Sequence, residues 1–305
     1  MYRRISEWLK QKECKFTEFY DISGQSSIRA GCSVRLFVAP KTLVELSEIM
    51  TYLEYMGARY VIVGGMTNTL FVGTDSSVGY LYDGVAVSTK SLYSLRREGG
   101  YIYAECGTSL SSLFRFARQC GYGGYEQLSL IPGTVGGAIR GNAGAHGASV
   151  ADIVAGALVL SPKDGAKRFL SRDELEFDYR TSAIKKSTDI ILSALFELPR
   201  TNTTFSLSAR KYFLDLRKST QPTGEFSLGS VFKRVSGVGA GYFIDKAGLK
   251  GLSVGAATVS TKHAGFIVNR GGATGADVLQ LVRMVEDRVY ERFGVNLERE
   301  IEIIE

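Results

Sequence analysis

No apolar run in this chain of 305 residues approaches the roughly 20 residues that a membrane span requires. The N-terminus, MYRRISEWLKQKECKF, has no apolar h-region, so no signal peptide is expected. Both observations predict a cytoplasmic protein without a membrane partner. The four cysteines, Cys14, Cys32, Cys106 and Cys120, lie far apart, and none forms a C-x-x-C pair. That spacing argues against a disulfide framework or a zinc site and predicts reduced, buried thiols. Two histidines without clustered ligands argue against a catalytic metal. The net charge of +6 is spread out, with no Lys/Arg stripe interleaved with aromatics, so no nucleic-acid partner is expected. An anionic small substrate is a better use of the surplus positive charge. The chain shows no internal repeat, and its length suits about two domains.

What the chain has is glycine in one place. Gly121 to Gly147, GYGGYEQLSLIPGTVGGAIRGNAGAHG, holds nine glycines in 27 residues, interrupted by Ile131, Pro132, Val135 and Ile139. Glycine permits positive φ and lets backbone N–H groups approach a ligand unobstructed. The pattern reads as a closely constrained backbone that cradles an anion, a phosphate or diphosphate being the usual occupant. Tight strand turns are the alternative use of such glycines.

Around this segment the pattern is α+β without βαβ regularity. Ile5, Trp8 and Leu9 predict a short N-terminal helix. Ser33–Val38 reads as a strand closed by Pro40, followed by a capping box at Thr42 and Glu45. Leu43, Leu46, Ile49, Met50 and Leu53 then recur at helical spacing up to Gly57. The strand Tyr60–Val63 empties into Gly64, Gly65, Met66, Thr67 and Asn68, a second, weaker phosphate-loop pattern. Over residues 78–107 short strands are expected at Gly79–Tyr82, Val85–Ser88 and Tyr101–Cys106. Thr108 or Ser109 caps a helix with Leu110, Leu113, Phe114 and Ala117 on one face. Further strands are expected at Ile153–Leu160 and Ile190–Glu197. The texture turns polar near residue 199, with helices predicted at about Ser206–Lys218 and Ala276–Phe293. Gly294 ends the second of these, and a terminal strand spans Val295–Ile304.

Four short segments remain as carriers of chemistry besides Glu300: Gly64–Asn68, Ile131–Ala145, Tyr179-Arg180 and Leu228–Lys233. Each has an ordinary reading by itself. Arg180 fits a surface salt bridge, Ser230 a turn or cap, and Glu300 a solvated edge charge. Their order and spacing, however, resemble the UDP-N-acetylenolpyruvoylglucosamine reductase family (MurB) from about Ser27 to Ile304. The most specific elements are Ile131-Pro132-Gly133-Thr134-Val135-Gly136-Gly137-Ala138 with Asn142-Ala143-Gly144-Ala145. Gly229-Ser230-Val231-Phe232-Lys233, Ala247-Gly248-Leu249-Lys250-Gly251, Lys262-His263-Ala264 and Leu297-Glu298-Arg299-Glu300 follow in order.

The resemblance implies a two-subdomain FAD-binding region of the vanillyl-alcohol-oxidase-like (PCMH) type over 1–198. Its subdomains would span about 1–75 and 76–198, with a C-terminal α+β substrate domain over 199–305. It implies FAD held by Val63, Gly64, Gly65, Met66, Thr67 and Asn68, and by Pro132, Gly133, Thr134, Gly136, Gly137, Ala138, Asn142, Ala143, Gly144 and Ala145. NADPH reduces the flavin, which passes a hydride to the enolpyruvyl ether of a UDP-sugar in peptidoglycan precursor synthesis. Arg180 matches the cation that stabilises the resulting aci-carboxylate, and a planar, always-charged guanidinium suits that task. Glu300 matches an acid that, if protonated by burial, hydrogen-bonds the same intermediate. Ser230 matches the proton donor to C2, with Lys233 as cationic help. Lys218 matches a lysine used toward the uridine diphosphate, with Arg217 beside it, and His263 either lines that pocket or is structural. A monomer is expected.

The chain departs from the family at three points. Met66 replaces a glycine, so its backbone has either φ < 0 or strain, and looser FAD binding is expected. Arg234 stands where the family often has asparagine, and Leu228 where it has a small residue. The short stretch from Arg180 to Ile190 leaves no room for a long tyrosine-bearing loop, which suggests the shorter, type II branch. The role of Arg140 inside the second loop stays open. Two other readings remain: an FAD-binding paralogue without this activity, and an FAD oxidase of the same superfamily that tethers its flavin.

Overall fold

The computed structural model describes residues 1–76 and 79–305. Ser77 and Val78, where the expected run of short strands begins, lie outside the described residues.

The order of elements is α1 (Tyr2–Gln11), β1 (Phe16–Asp21), β2 (Ser33–Val38), α2 (Leu43–Tyr55), β3 (Tyr60–Val63), β4 (Thr69–Phe71) and β5 (Leu81–Ser88). Then come β6 (Leu95–Glu98), β7 (Tyr101–Glu105), α3 (Leu110–Gln119), α4 (Val135–Arg140), β8 (Gly144–Ala145), β9 (Ala148–Ser149), β10 (Val154–Leu160), β11 (Lys167–Ser171) and β12 (Ile190–Phe196). The chain continues with α5 (Thr203–Thr220), β13 (Phe226–Ser230), α6 (Ala240–Lys246), β14 (Ser253–Val254), β15 (Ala257–Val259), β16 (Phe266–Asn269), α7 (Gly275–Phe293) and β17 (Glu302–Ile304).

These elements fall into two compact units, each built from three stretches of chain. The first comprises Met1–Thr17, Leu36–Gly65 and Gly84–Asp215; the second comprises Glu18–Arg35, Met66–Asp83 and Leu216–Glu305.

The first unit is organised by an antiparallel sheet of order β11-β10-β12-β7-β6. Central β12, IILSALF, is almost wholly buried, which is why it reads as a continuous apolar run rather than an alternating one. Within this unit β3 pairs in parallel with β5, from Tyr60↔Val85 to Val63↔Ser88. Helix α2 buries Leu46, Ile49, Met50 and Leu53, and α3 buries Leu110, Leu113, Phe114 and Ala117. Each of these side chains except the methyl of Ala117 contributes about 1.5–3 kcal/mol on leaving water. Thr42 caps α2 by accepting from Glu45 N at 3.1 Å, but Glu45 reaches the N–H of Lys41 rather than that of Thr42. The cap is therefore displaced by one residue from a reciprocal box.

The second unit carries a sheet of order β13-β16-β15-β14, and β17 pairs in parallel with β4 (Ile303↔Leu70). Helix α7 buries Val278, Leu279, Leu281, Val282, Val285 and Val289 against Leu228, Val231, Phe232, Ala257 and Val259. A reciprocal capping box at Thr274 and Asp277 starts it, and Gly294 ends it in the left-handed region at φ 65°.

Four expectations are corrected. Gly79–Tyr82 and Val85–Ser88 are not two strands: one strand begins at Leu81 and passes through Gly84. Strand β6, LRRE, was not expected because it lacks apolar alternation. It is an edge strand, with Arg96 lying over the Tyr103 ring at 3.4 Å. The terminal strand shrinks to Glu302–Ile304, since the residues before it pair singly with the chain after Ser230. Finally, the Gly-rich segment contains α4 and the β8–β9 hairpin, whose turn residues His146 and Gly147 take φ of 50° and 81°.

Among the described residues no helix is long and apolar enough to cross a membrane. No group of three His, Cys, Asp or Glu side chains there is placed to hold a metal ion. All four cysteines are free; Cys14, Cys32 and Cys106 are buried and Cys120 is half-buried.

Candidate functional site

In the first unit the two glycine loops meet. Strand β3 ends at Val63, whose carbonyl accepts from Thr89 N at 2.9 Å and Thr89 Oγ1 at 3.3 Å. The next residue, Gly64, lies so close to the second loop that a Cβ there would fall 2.2 Å from Thr134 Oγ1. Thr134 caps α4, its Oγ1 accepting from Gly137 N at 3.5 Å. Gly133, at φ 145°, receives Leu110 N on its carbonyl at 3.2 Å. The first amides of α4 are already used: Val135 N donates to Thr108 O and Gly136 N to Cys106 O, each at 2.8 Å. A Cβ on Gly136 would sit 3.1 Å from Cys106 Cβ, so this glycine serves close packing. Gly137 differs. It is exposed, and a Cβ there would meet only Thr134 Oγ1, at 3.6 Å. With Pro132 also exposed and Ala138 buried beneath, the loop offers an open face of small residues.

Asn142 closes the second loop. It is 8% exposed, has φ 40°, and uses both ends of its amide. Nδ2 donates to Asp178 O at 2.9 Å, while Oδ1 accepts from Ala151 N at 3.1 Å. The loop is thereby tied to the turn that carries Arg180. That residue is also left-handed, at φ 57°, and its Nη2 donates to Gly144 O at 3.1 Å. Ala143 N returns to Ala138 O at 2.8 Å, and Gly144 and Ala145 form β8. A left-handed arginine held by the next loop's carbonyl is a positioned charge rather than a solvated one. Ser182 Oγ meanwhile donates to the main-chain carbonyl of Arg140 at 2.9 Å.

Two residues of this unit escaped the sequence reading. Glu126 is 3% exposed and its carboxylate accepts from Gly124 N at 2.9 Å and from Ser206 Oγ. Ser206 is the single buried residue of α5. A glutamate inside a glycine-rich stretch was the available signal, but nothing in the sequence points to Ser206 as its partner, 80 positions away.

The second unit gathers the remaining residues. Gly229, at φ 79°, makes a bulge between Ser227 and Ser230 that sets Ser230 opposite Phe266. Ser230 Oγ donates to Phe232 O at 3.2 Å and lies beside Gly265, where a Cβ would be 3.5 Å from it and 3.0 Å from His263 Cε1. His263 Nδ1 accepts from Gly265 N at 3.1 Å, which places its ring proton on Nε2. Burial holds the pKa of His263 below the ordinary value.

Glu300 is half-buried and reaches the same place through the backbone: its N–H donates to Val231 O at 2.8 Å. Asn68 Nδ2 donates to Glu300 O at 3.0 Å, which joins the end of the first loop to Glu300. Lys233 pairs with Glu298, and its main-chain N–H donates to Glu298 O at 2.8 Å. Lys218 is exposed near the end of α5, with its carbonyl accepting from Lys262 Nζ beside His263. Burial lowers the pKa of the neighbouring Arg217. Met66 resolves the alternative left by the sequence: φ is 47°, the strained branch, and the side chain is 4% exposed. Ser27 N holds its carbonyl at 3.1 Å, and Thr67 is half-buried beside it.

The loops and the residues around them define an FAD-binding oxidoreductase. The model of an FAD binding domain matches residues 34–168, and that of the UDP-N-acetylenolpyruvoylglucosamine reductase C-terminal domain matches residues 221–304. A UDP-N-acetylenolpyruvoylglucosamine reductase from Nostoc sp. is 34% identical over 300 residues, covering 97% of this chain and 88% of the relative. The one from Listeria innocua is 37% identical over 283 residues, 93% of each. The crystal structure of the Thermus caldophilus enzyme (MurB) superposes with a TM-score of 0.79 at 29% identity, covering 96% of this chain and 99% of that one. The chain belongs to the UDP-N-acetylenolpyruvoylglucosamine reductase family. Its α+β fold with an FAD-binding region is the fold class that the sequence led us to expect.

Proposed function

We propose that this protein reduces the enolpyruvyl ether of UDP-N-acetylglucosamine enolpyruvate to UDP-N-acetylmuramate, a step of peptidoglycan precursor synthesis. NADPH is the donor. FAD, when bound, would supply the two-electron redox chemistry between NADPH and the vinyl group. The open, small-residue face at Pro132 and Gly137 and the Gly64–Gly65 turn fit such a group, and Val63–Asn68 with Pro132–Ala145 would hold it.

The observation that carries the reading is the link between Ser230 and Glu300 through Val231, whose carbonyl accepts from Glu300 N at 2.8 Å. Ser230 holds the proton for the substrate C2 on an Oγ that already donates, here to Phe232 O. Glu300 hydrogen-bonds the developing carboxylate charge, and Arg180 supplies the fixed cation for it. Lys233 is engaged by Glu298 and contributes charge near the same strand. Lys218 and His263 face the UDP portion of the substrate. Residues 1–198 are assigned to FAD binding and 199–305 to substrate binding, in a cytoplasmic monomer of the shorter branch.

The test separates the two halves of turnover at one flavin. Ser230→Ala should leave bleaching by NADPH intact while slowing recovery on addition of the enolpyruvyl substrate by roughly 10²-fold or more. Equal loss in both halves would remove Ser230 from this role. Bleaching of the unmodified protein without any recovery would overturn the substrate assignment.

A further inference from the structure

We infer that Glu286 and Arg299 form a clamp that positions Glu300 for its work beside Ser230; this rests on the reading of Glu300 as the acid at the substrate. Residues 298–300 are not part of a regular sheet. They lie along Val231–Lys233 through Lys233 N to Glu298 O and Glu300 N to Val231 O, each at 2.8 Å, with an isolated antiparallel bridge between Phe232 and Arg299. Such a short ladder fixes the segment to its neighbour through only a few backbone hydrogen bonds.

Successive side chains of an extended segment point to opposite sides, so Arg299 projects away from Glu300. Its guanidinium meets Glu286 of α7 as a planar fork, Nε to Oε1 and Nη2 to Oε2, both at 2.6 Å. Two parallel bonds define an orientation as well as a distance, which a single ion pair does not. The anchor is firm, because the residue before Glu286, Val285, is 1% exposed in the core of the second unit. The pair is also sheltered, with side-chain exposures of 35% and 20%, unlike the solvent-screened pairs elsewhere on the surface. On the other flank, Asn68 Nδ2 holds Glu300 O at 3.0 Å and Glu302 N donates to Asn68 O at 2.8 Å. The backbone of the proposed acid is thus gripped before and after. Arg299 and Glu286 touch no reacting atom; they are positioning residues.

The experiment uses the FAD-loaded protein with Arg299→Lys, Glu286→Gln, the double variant and Glu300→Ala, which removes any hydrogen-bond donor there, followed anaerobically at the flavin bands. Lysine keeps the charge but cannot make the fork. Each clamp variant should bleach with NADPH at the wild-type rate and recover with substrate about 10-fold to 10²-fold more slowly, the size expected for small misplacement of a catalytic group. The double variant should be no slower than either single one, since both remove the same contact. Melting temperature and flavin retention are recorded in parallel. Recovery at the wild-type rate, additive losses, or a fall in both halves together with flavin retention would each overturn the clamp. Should Glu300→Ala itself recover normally, the reading of Glu300 fails and the clamp with it. Slow Glu300→Ala with normal Arg299→Lys would remove the clamp alone.

Discussion

Substituting Gly64 by alanine tests the junction of the two FAD loops directly. The new Cβ would stand 2.2 Å from Thr134 Oγ1 and 3.3 Å from Thr134 Cβ and Cγ2. Non-bonded heavy atoms settle at about 3.5–4.0 Å, so something has to move. Thr134 is poorly suited to yield: it is 6% exposed, its branched side chain has few rotamers, and its Oγ1 caps α4. Rotating it away sacrifices the cap, about 1 kcal/mol. Keeping it in place displaces the end of β3, about 1–3 kcal/mol. Whichever way the contact is relieved, Gly64→Ala is therefore expected to lower the unfolding free energy by about 1–3 kcal/mol and to weaken FAD retention. Urea unfolding reports the first through Trp8, stacked on Tyr52 at 4.1 Å in the same unit, and flavin release reports the second. Thr134→Ala alone should cost about 1 kcal/mol. The double variant should lose less than the sum, because the 2.2 Å contact disappears with the hydroxyl. Strict additivity, or a loss below about 0.5 kcal/mol for Gly64→Ala, would refute the reasoning.

Other outcomes follow from the same geometry. Met66→Gly relieves a left-handed backbone but removes a buried side chain, and the second effect is larger. A net loss of about 1–3 kcal/mol in denaturant unfolding is expected, and equal or higher stability would contradict it. Glu126→Gln puts an amide NH₂ where a carboxylate oxygen now accepts from Gly124 N or Ser206 Oγ, with an expected cost of about 1–3 kcal/mol by the same assay. His263 is held neutral by burial, so the unfolded chain binds a proton more readily than the folded one. Its contribution to stability is full above the ordinary His value of 6.5 and is lost as pH falls below it. The urea midpoint of wild type should fall more steeply than that of His263→Gln between about pH 8 and about pH 5. Parallel curves would argue against this. Burial pushes the thiols of Cys14 and Cys106 up to about 12 and that of Cys32 up to about 11. A thiol reagent should therefore modify Cys120 first in the native protein, with mass spectrometry identifying the site.

Much of the fold was legible because local physics decides it. Ser33–Val38, the helix after Thr42, the helix after Ser109 and the helix closed by Gly294 announce themselves by apolar period and end signals. The strand LRRE and the helix inside the glycine-rich segment do not. The first is an edge strand whose exposed charges give no period, and the second is too short and glycine-rich for propensity to reveal. Among the site residues, Arg180, Ser230 and Glu300 were nameable only through resemblance to a family. As isolated residues each is ordinary, and no local pattern distinguishes a positioned guanidinium from a solvated one.

By itself the sequence determined which peptides lack side chains, where the chain turns, and which residue types could answer an anionic, enolpyruvyl-bearing substrate. Periodicity, caps and glycine placement act over a few residues, so they survive in the one-dimensional record. The tertiary structure alone decided that each compact unit is assembled from three separated stretches. It also decided that Gly64 is a glycine because Thr134 lies against it, that Glu126 closes on Ser206, and that Arg299 reaches Glu286. Those are contacts between residues 13 to 80 positions apart. They are selected by side-chain packing and by the need to partner buried polar groups, which depend on the folded chain as a whole.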